Sequence, residues 1–251
     1  AKIVDENFLL LIQNGNLPSS KYKLNLSDTN FSTEDLVSVF ESQVISRHID
    51  LKARALKNEG KCFYTIGSSG HEGNAVFGKV FQIQDMAFLH YRSAPLFIER
   101  SKKLNGTTPI YNLALSFMAS SDDPISGGRH KVIGSKELNI PPQTSTIASH
   151  LPKAVGTAFS IDHAKGLDIS ERCLADESIV ICSFGDASAN HATALSAFNT
   201  ASLITNQGGH VPIVFICEDN GLGISVPTQA NWIEENFKNR NYLEYIKTDG
   251  L

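Results

Sequence analysis

The clearest organisation of apolar and polar positions lies between residues 178 and 227. Ser178-Ile179-Val180-Ile181-Cys182-Ser183-Phe184 is a nearly continuous apolar run rich in β-branched residues, the pattern of a strand covered on both faces. A helical segment follows from about Asn190 to Leu203, and then a second run, Val211-Pro212-Ile213-Val214-Phe215-Ile216-Cys217. Strand, helix, strand in this order predicts a right-handed parallel unit, and so an α/β fold. Upstream, Ser32-Thr33-Glu34-Asp35 offers an N-cap with acids in the first turn. Leu36, Val37, Phe40, Val44 and Ile45 then recur at helical spacing, predicting a helix to Lys57 that ends near Gly60. A loop over Thr65–Gly70 leads into a helix from about Glu72 to Val80. Phe88–Tyr91 has strand character, and a further helix starts near Pro95. The stretch Ser120–Gln143 is rich in Gly, Pro, Ser and charge without periodicity, as functional or disordered loops are. Small residues over Ser149–Ser160 predict a tightly packed helix.

Residues 1–30 are polar and turn-rich, with Asn14-Gly15 and Pro18-Ser19-Ser20, and read as an arm that wraps the body or a neighbour; residues 31–251 form the main domain. There is no internal repeat.

The length of 251 residues suffices for one large core, and 41% apolar with 19% charged residues is ordinary for a globular protein. A formal net charge of -4 argues against non-specific nucleic-acid binding, which needs an excess of Lys and Arg. No stretch approaches the roughly 20 apolar residues of a spanning helix, and the acidic start is a poor signal peptide. Cys62, Cys173, Cys182 and Cys217 form no C-x-x-C pair, so neither zinc nor a dithiol motif is indicated. Cys182 and Cys217 sit in apolar runs as buried thiols, which suits a reducing compartment, bacterial cytoplasm or organelle matrix.

In open α/β sheets ligands bind beyond the carboxyl ends of parallel strands. Two polar clusters fall at those ends: Gly185-Asp186-Ala187 and Glu218-Asp219-Asn220-Gly221. Each alone reads as a turn. At matched strand ends, however, a carboxylate and an amide oxygen suit a hard cation such as Mg2+, which takes a few protein oxygens and fills its octahedron from phosphate and water. The Leu222 carbonyl is a plausible third protein ligand.

Gly185-Asp186-Ala187 through Asn220 resembles the metal-diphosphate motif of thiamine-diphosphate enzymes, which runs from Gly-Asp-Gly to Asn. The likeness extends to Phe184–Asn190, Ala197-Phe198-Asn199-Thr200-Ala201 and Asp219–Thr228. It also takes in His90-Tyr91-Arg92, Gly127-Gly128-Arg129 and Leu151–Gly156 in matching order. Over about residues 60 to 230 the chain is similar to the alpha component of branched-chain 2-oxoacid dehydrogenase. That resemblance implies a three-layer parallel sheet with helices on both faces, the thiamine-diphosphate-binding fold.

It further implies that Asp186 and Asn220, with the Leu222 carbonyl, bind Mg2+, and that Tyr91 and Arg92 contact the cofactor diphosphate. A guanidinium fork suits phosphate oxygens. Ser145 and Ile147 would hold the aminopyrimidine ring, and backbone groups of Gly185, Ala187 and Ser188 would line the diphosphate cradle. The implied reaction is oxidative decarboxylation of a 2-oxoacid, branched-chain by preference, with the acyl group passed to a lipoyl group of an acyltransferase partner. The cofactor supplies the carbanion chemistry and the protein the placement. In this family a glutamate promoting ylid formation comes from a beta half, and the catalytic histidine is expected beyond Leu251. The sequence therefore reads as truncated on its C-terminal side, inactive by itself, with a cytoplasmic or, in a eukaryote, mitochondrial-matrix home.

Two positions depart from the pattern. Ala187 stands at the motif's second glycine; if that position requires φ > 0, alanine costs roughly 1 kcal/mol. Glu218 stands where some branched-chain members have arginine, which weakens the substrate assignment. His71, His90, His130 and His150 read first as ordinary polar or packing residues, since nothing local pairs them, with His90 the one to watch. Glu72 reads as a cap of the helix after it. Acetoin-dehydrogenase-like or transketolase-like chemistry, or a non-catalytic assembly half, are the alternative functions.

Overall fold

The computed structural model describes residues 2–16, 19, 25–63, 66–167, 169, 171–172, 174–224 and 226–250. Pro18, Ser20, Thr65, Cys173 and Ser225, used in the sequence reading, lie outside them. Lys2–Gln13 forms a helix, α1, where a turn-rich arm was expected; the expected turn at Asn14-Gly15 follows it, with Gly15 at φ 66°.

The second helix, α2, spans Thr33–Asn58. Ser32 caps it as the sequence predicts: its Oγ accepts from Asp35 N at 3.1 Å, and Asp35 Oδ2 accepts from Ser32 N at 2.9 Å. The most deeply buried positions of α2 are mostly polar, and of the apolar stripe only Ile45 packs against the core. Val37 and Phe40 are 62% and 64% exposed, whereas Ser42, Ser46, Asp50 and Ala53 are buried. The polar residues face inward because each finds a partner there: Ser42 donates to Glu99 Oε2 at 2.6 Å, and Ser46 and Asp50 hold the loop at 66–70. Asp50 Oδ2 accepts from Ser68 N at 2.7 Å, and Ser46 shares a 2.5 Å hydrogen bond with Ser68. Burying hydroxyls and a carboxylate costs little when each finds a partner.

Glu72–Asn74 is a single 3-10 turn leading into α3, Ala75–Val80. Gly70 N donates to Glu72 Oε2 at 2.7 Å, so Glu72 closes the loop ahead of it instead of capping the helix after it; neither the 3-10 turn nor α3 carries a side-chain cap. The first strand, β1, is Met86–Phe88. Helices α4, Ala94–Ser101, and α5, Pro109–Phe117, follow. The stretch 120–143 has no helix, yet Ile133, Leu138 and Ile140 are each at most 2% exposed and join the core. Buried Arg100 pins it by donating from Nε to the Leu138 carbonyl at 2.9 Å.

The small-residue segment forms α6, His150–Gly166, and leads to β2, Val180–Gly185, every residue of which is buried. Helix α7, Ala192–Asn206, connects it to β3, Ile213–Glu218. The short hairpin of β4, Leu222–Gly223, and β5, Val226–Pro227, precedes the last helix, α8, Trp232–Phe237.

β1, β2 and β3 form a parallel sheet in that order, with β2 central. This is the α/β architecture that the strand-helix-strand pattern predicts. Along β2, Val180, Cys182 and Phe184 join the cluster built by α6 and α7, while Ile181 joins the one containing Leu96, Ile98 and Ala53. The alternation follows from the two-residue period of a strand. Full burial of such side chains contributes about 1.5–3 kcal/mol each. Among the described residues no helix is long and apolar enough to cross a membrane.

Candidate functional site

Register decides what meets at the carboxyl edge of the sheet. Gly185 pairs with Glu218, so β2 and β3 end at the same level and their polar turns emerge side by side. Asp186 opens a 3-10 turn, Asp186–Asn190, and is only 4% exposed. Its Oδ2 accepts from Thr228 Oγ1 at 2.5 Å, and Thr228 N donates to the Gly221 carbonyl at 2.9 Å. The hairpin after β3 is thereby folded back over the turn after β2. Asp219 lies against Asp186: burial, then the negative charge of Asp186, holds its carboxyl above the usual range. Two carboxylates pressed together in this way favour a shared proton or a cation between them.

Asn220 is engaged at both ends of its amide. Oδ1 accepts from Leu222 N at 2.9 Å, and Nδ2 meets His71 Nε2 at 3.1 Å. His71 Nδ1 in turn bonds Glu218 Oε2. The sequence-predicted cation residues Asp186, Asn220 and Leu222 are thus gathered at one sheet edge. Asp219, from the polar cluster read at that edge, lies with them, and His71 and Thr228, to which sequence reasoning gave no role in the site, complete the cluster. Only a fold that already fixes residues 147 and 42 positions apart reveals the His71–Glu218 and Asp186–Thr228 bonds.

His71, His90 and Glu218 bring ligand-type atoms within 4.8 Å of one another. Both His71 nitrogens are already engaged, so this is first a hydrogen-bonded group. His90 is 4% exposed and its ring lies 3.9 Å from that of Tyr91. Burial, with the nearby His71, Arg92 and His150 charges adding to it, pushes its pKa down to about 3, so it is neutral near pH 7. His150 is buried and donates from Nε2 to the Ser183 carbonyl at 2.8 Å, while His90 N donates to Ser183 Oγ at 2.8 Å. Ser183 therefore ties the loop after β1 and the start of α6 to the central strand. His150 is the packing residue that the sequence reading made it.

Arg92 donates from Nη1 to the Gly67 carbonyl at 2.6 Å and stands 5.1 Å from the Tyr91 ring centroid. The loop at 66–70, itself held by α2, thus sets where this guanidinium sits. Ser145 and Ile147 are exposed just before Ala148, which takes a left-handed φ of 63° ahead of α6. Gly185 and Ser188 are buried and Ala187 is exposed in the turn. Gly185 has φ -86°, and Ala187 is not among the residues with positive φ. The cost foreseen for alanine there is not incurred, because the turn is 3-10 in form. A cavity of about 460 Å³ opens beside it, lined by Ala187, Asn190, Gly223, Thr228 and Trp232 among others. Cys182 is fully buried, and burial raises the thiol pKa of both Cys182 and Cys217, which leaves them unreactive.

A parallel sheet with helices packed on it and oxygen-rich turns converging at its carboxyl edge defines an α/β protein, and that edge is where ligands bind in open sheets of this kind. The chain belongs to the dehydrogenase E1 component family, whose sequence model matches residues 40–249. Among its relatives is the mitochondrial 2-oxoisovalerate dehydrogenase subunit alpha of Caenorhabditis elegans, 26% identical over 229 residues, covering 89% of this chain and 48% of the relative. The Homo sapiens subunit of the same name is 26% identical over 211 residues, covering 82% and 42%. Subunit alpha 2 of Arabidopsis thaliana is 25% identical over 248 residues, covering 97% and 47%. The chain spans about half the length of these curated relatives.

Proposed function

We propose that this chain is the cofactor-binding part of the alpha component of a branched-chain 2-oxoacid dehydrogenase, using thiamine diphosphate and Mg2+. The observation that carries the reading is the oxygen cluster at the edge of the sheet. Buried Asp186 faces the raised carboxyl of Asp219, with the amide oxygen of Asn220 in the next turn. These are hard donors, the class magnesium takes, and a cation relieves the repulsion between the two acids. The residues present therefore fit a diphosphate-bound Mg2+, with Asp186, Asn220 and the Leu222 carbonyl as ligands.

Thiamine diphosphate, when bound, supplies the carbanion chemistry by which a 2-oxoacid loses carbon dioxide. This chain's own part is placement. Arg92 and Tyr91 would meet the diphosphate, with backbone groups of Gly185, Ala187 and Ser188 as its cradle and Ser145 and Ile147 beside the aminopyrimidine ring. The three-layer arrangement and a main domain over 31–251, preceded by an N-terminal arm over 1–30, belong to the same reading.

The acyl product passes to a lipoyl group of an acyltransferase partner, and a beta half completes the site. The exposed apolar stripe of α2, Leu36, Val37, Phe40 and Val44, is the kind of surface that assembly covers and supports such a partner. The relatives named above are mitochondrial, which favours the matrix as its compartment over a bacterial cytoplasm.

Calorimetric titration of thiamine diphosphate with Mg2+ into the protein, assembled with its beta half, tests this. Magnesium-dependent binding that Asp186→Ala abolishes is expected. Binding indifferent to magnesium, or retained in Asp186→Ala, overturns the metal assignment.

A further inference from the structure

The side chain of His71 is 3% exposed and that of Glu218 12%, in a cluster that local sequence does not announce. The contacts around Asn220 fix its amide orientation. A backbone N–H can only donate, so the atom facing Leu222 N is the amide oxygen. The NH2 group then faces His71 Nε2, which must accept and so carries no proton. In a neutral imidazole the proton sits on the other nitrogen, and Nδ1–H donates to Glu218 Oε2. Asn74 Nδ2 also reaches that carboxylate oxygen, at 3.4 Å. Donor and acceptor thus alternate from Glu218 through His71 to Asn220.

We propose that His71 is a positioning residue for the magnesium site: it holds the Asn220 amide so that its oxygen, rather than its NH2 group, is presented to the cation. A carbonyl oxygen has two lone pairs. One is used by Leu222 N–H, and the other is left for a cation. Without the His71 acceptor the NH2 group loses its partner and only the Leu222 N–H holds the amide, which can then turn its nitrogen to the cation, and a nitrogen that donates cannot ligate. Glu218 fixes the His71 tautomer by accepting the Nδ1 proton, as carboxylates do behind metal-bound groups. Its departure from the arginine found in some branched-chain members therefore has a role: arginine offers Nδ1 no acceptor. The inference rests on the reading of Asn220 as a magnesium ligand.

Glutamine at 71 keeps a donor for Glu218 and an acceptor for Asn220 in one planar amide, whereas leucine has neither. The apparent affinity for Mg2+ in thiamine-diphosphate binding is measured on the assembled enzyme with native chain, His71→Gln, His71→Leu and Asn220→Ala. Nitrogen-15 NMR of the His71 ring is recorded in parallel. Magnesium affinity is expected to fall about 10–100-fold in His71→Leu and to be largely restored in His71→Gln, with an Nδ1–H tautomer in the native chain. An unaffected His71→Leu, equal loss in both variants, or a proton on Nε2 overturns the proposal. If Asn220→Ala weakens magnesium binding while His71→Leu does not, only this inference fails. If Asn220→Ala has no effect, the metal reading of Asn220 fails and takes the inference with it.

Discussion

The Cβ of Ala187 lies 3.0 Å from the position a Cβ would take on Gly223. The side chain that replaces the motif's second glycine is thus accommodated by a glycine on the facing hairpin. Gly223→Ala forces the two methyl groups together and should destabilise the native chain by about 1–3 kcal/mol. Ala187→Gly alone should cost about 0.5–1 kcal/mol through chain entropy, since the turn does not need positive φ. The double variant should recover part of the Gly223→Ala loss. A double-mutant cycle by urea denaturation with coupling below about 0.5 kcal/mol would show that the contact does not matter.

Gly78 marks the closest approach of α3 to α4. A Cβ there would fall 2.5 Å from the Leu96 carbonyl oxygen and 3.0 Å from Arg100 N. Both are backbone atoms of a buried helix and cannot swing away. Gly78→Ala should therefore lower stability by about 1–3 kcal/mol despite alanine's better helix propensity. A rise in the thermal midpoint of that variant would contradict the packing described.

Arg100 is fully buried and donates to the carbonyls of Leu138, Ile83 and Asp85. Burial pulls its pKa down to about 10, still well above neutral pH. Arg100→Leu leaves the buried carbonyls of Leu138 and Asp85 without this partner, while the half-buried Ile83 carbonyl keeps Asn139, a loss of about 3 kcal/mol or more. The stretch at 120–143 should loosen first. Hydrogen exchange would register it as faster exchange at Ile140 N, now bonded to the Ser135 carbonyl at 2.9 Å.

His90 gives the fold an acid limit. Its folded pKa is about 3, against about 6.5 for an unfolded histidine. Above the higher value it is neutral in both states and its contribution is complete. Between the two values the unfolded chain takes up a proton that the folded chain refuses, so stability falls as pH drops, by up to about 1.4 kcal/mol per unit. His90→Gln should flatten the pH dependence of the unfolding free energy between 6.5 and 4. Some slope should remain, because burial also lowers the pKa of His150. An unchanged slope would place His90 in water.

Local chemistry determined much of this architecture. The capping box at Ser32 and Asp35, the β-branched runs of β2 and β3, and the polar turns after them are decided by neighbours in sequence. They could be read as a parallel unit with a site at its carboxyl edge. The resemblance to the alpha component of a 2-oxoacid dehydrogenase rested on those turns together with segments such as His90-Tyr91-Arg92 and Leu151–Gly156, and membership of the dehydrogenase E1 component family bears it out.

What only the tertiary structure decided is which residues meet across the chain. The apolar spacing on α2 marks a helix correctly, but most of its fully buried positions are polar, because the loop at 66–70 supplies partners for Ser46 and Asp50. The stretch 120–143 is ordered by Arg100 and by three apolar side chains with no periodicity of their own. His71 looks unpaired in sequence, yet the parallel register that ends β2 and β3 together brings Glu218 and Asn220 to its two ring nitrogens. Hydrogen-bond partners are chosen by distance in space, and distance along the chain carries no record of it until the sheet has closed.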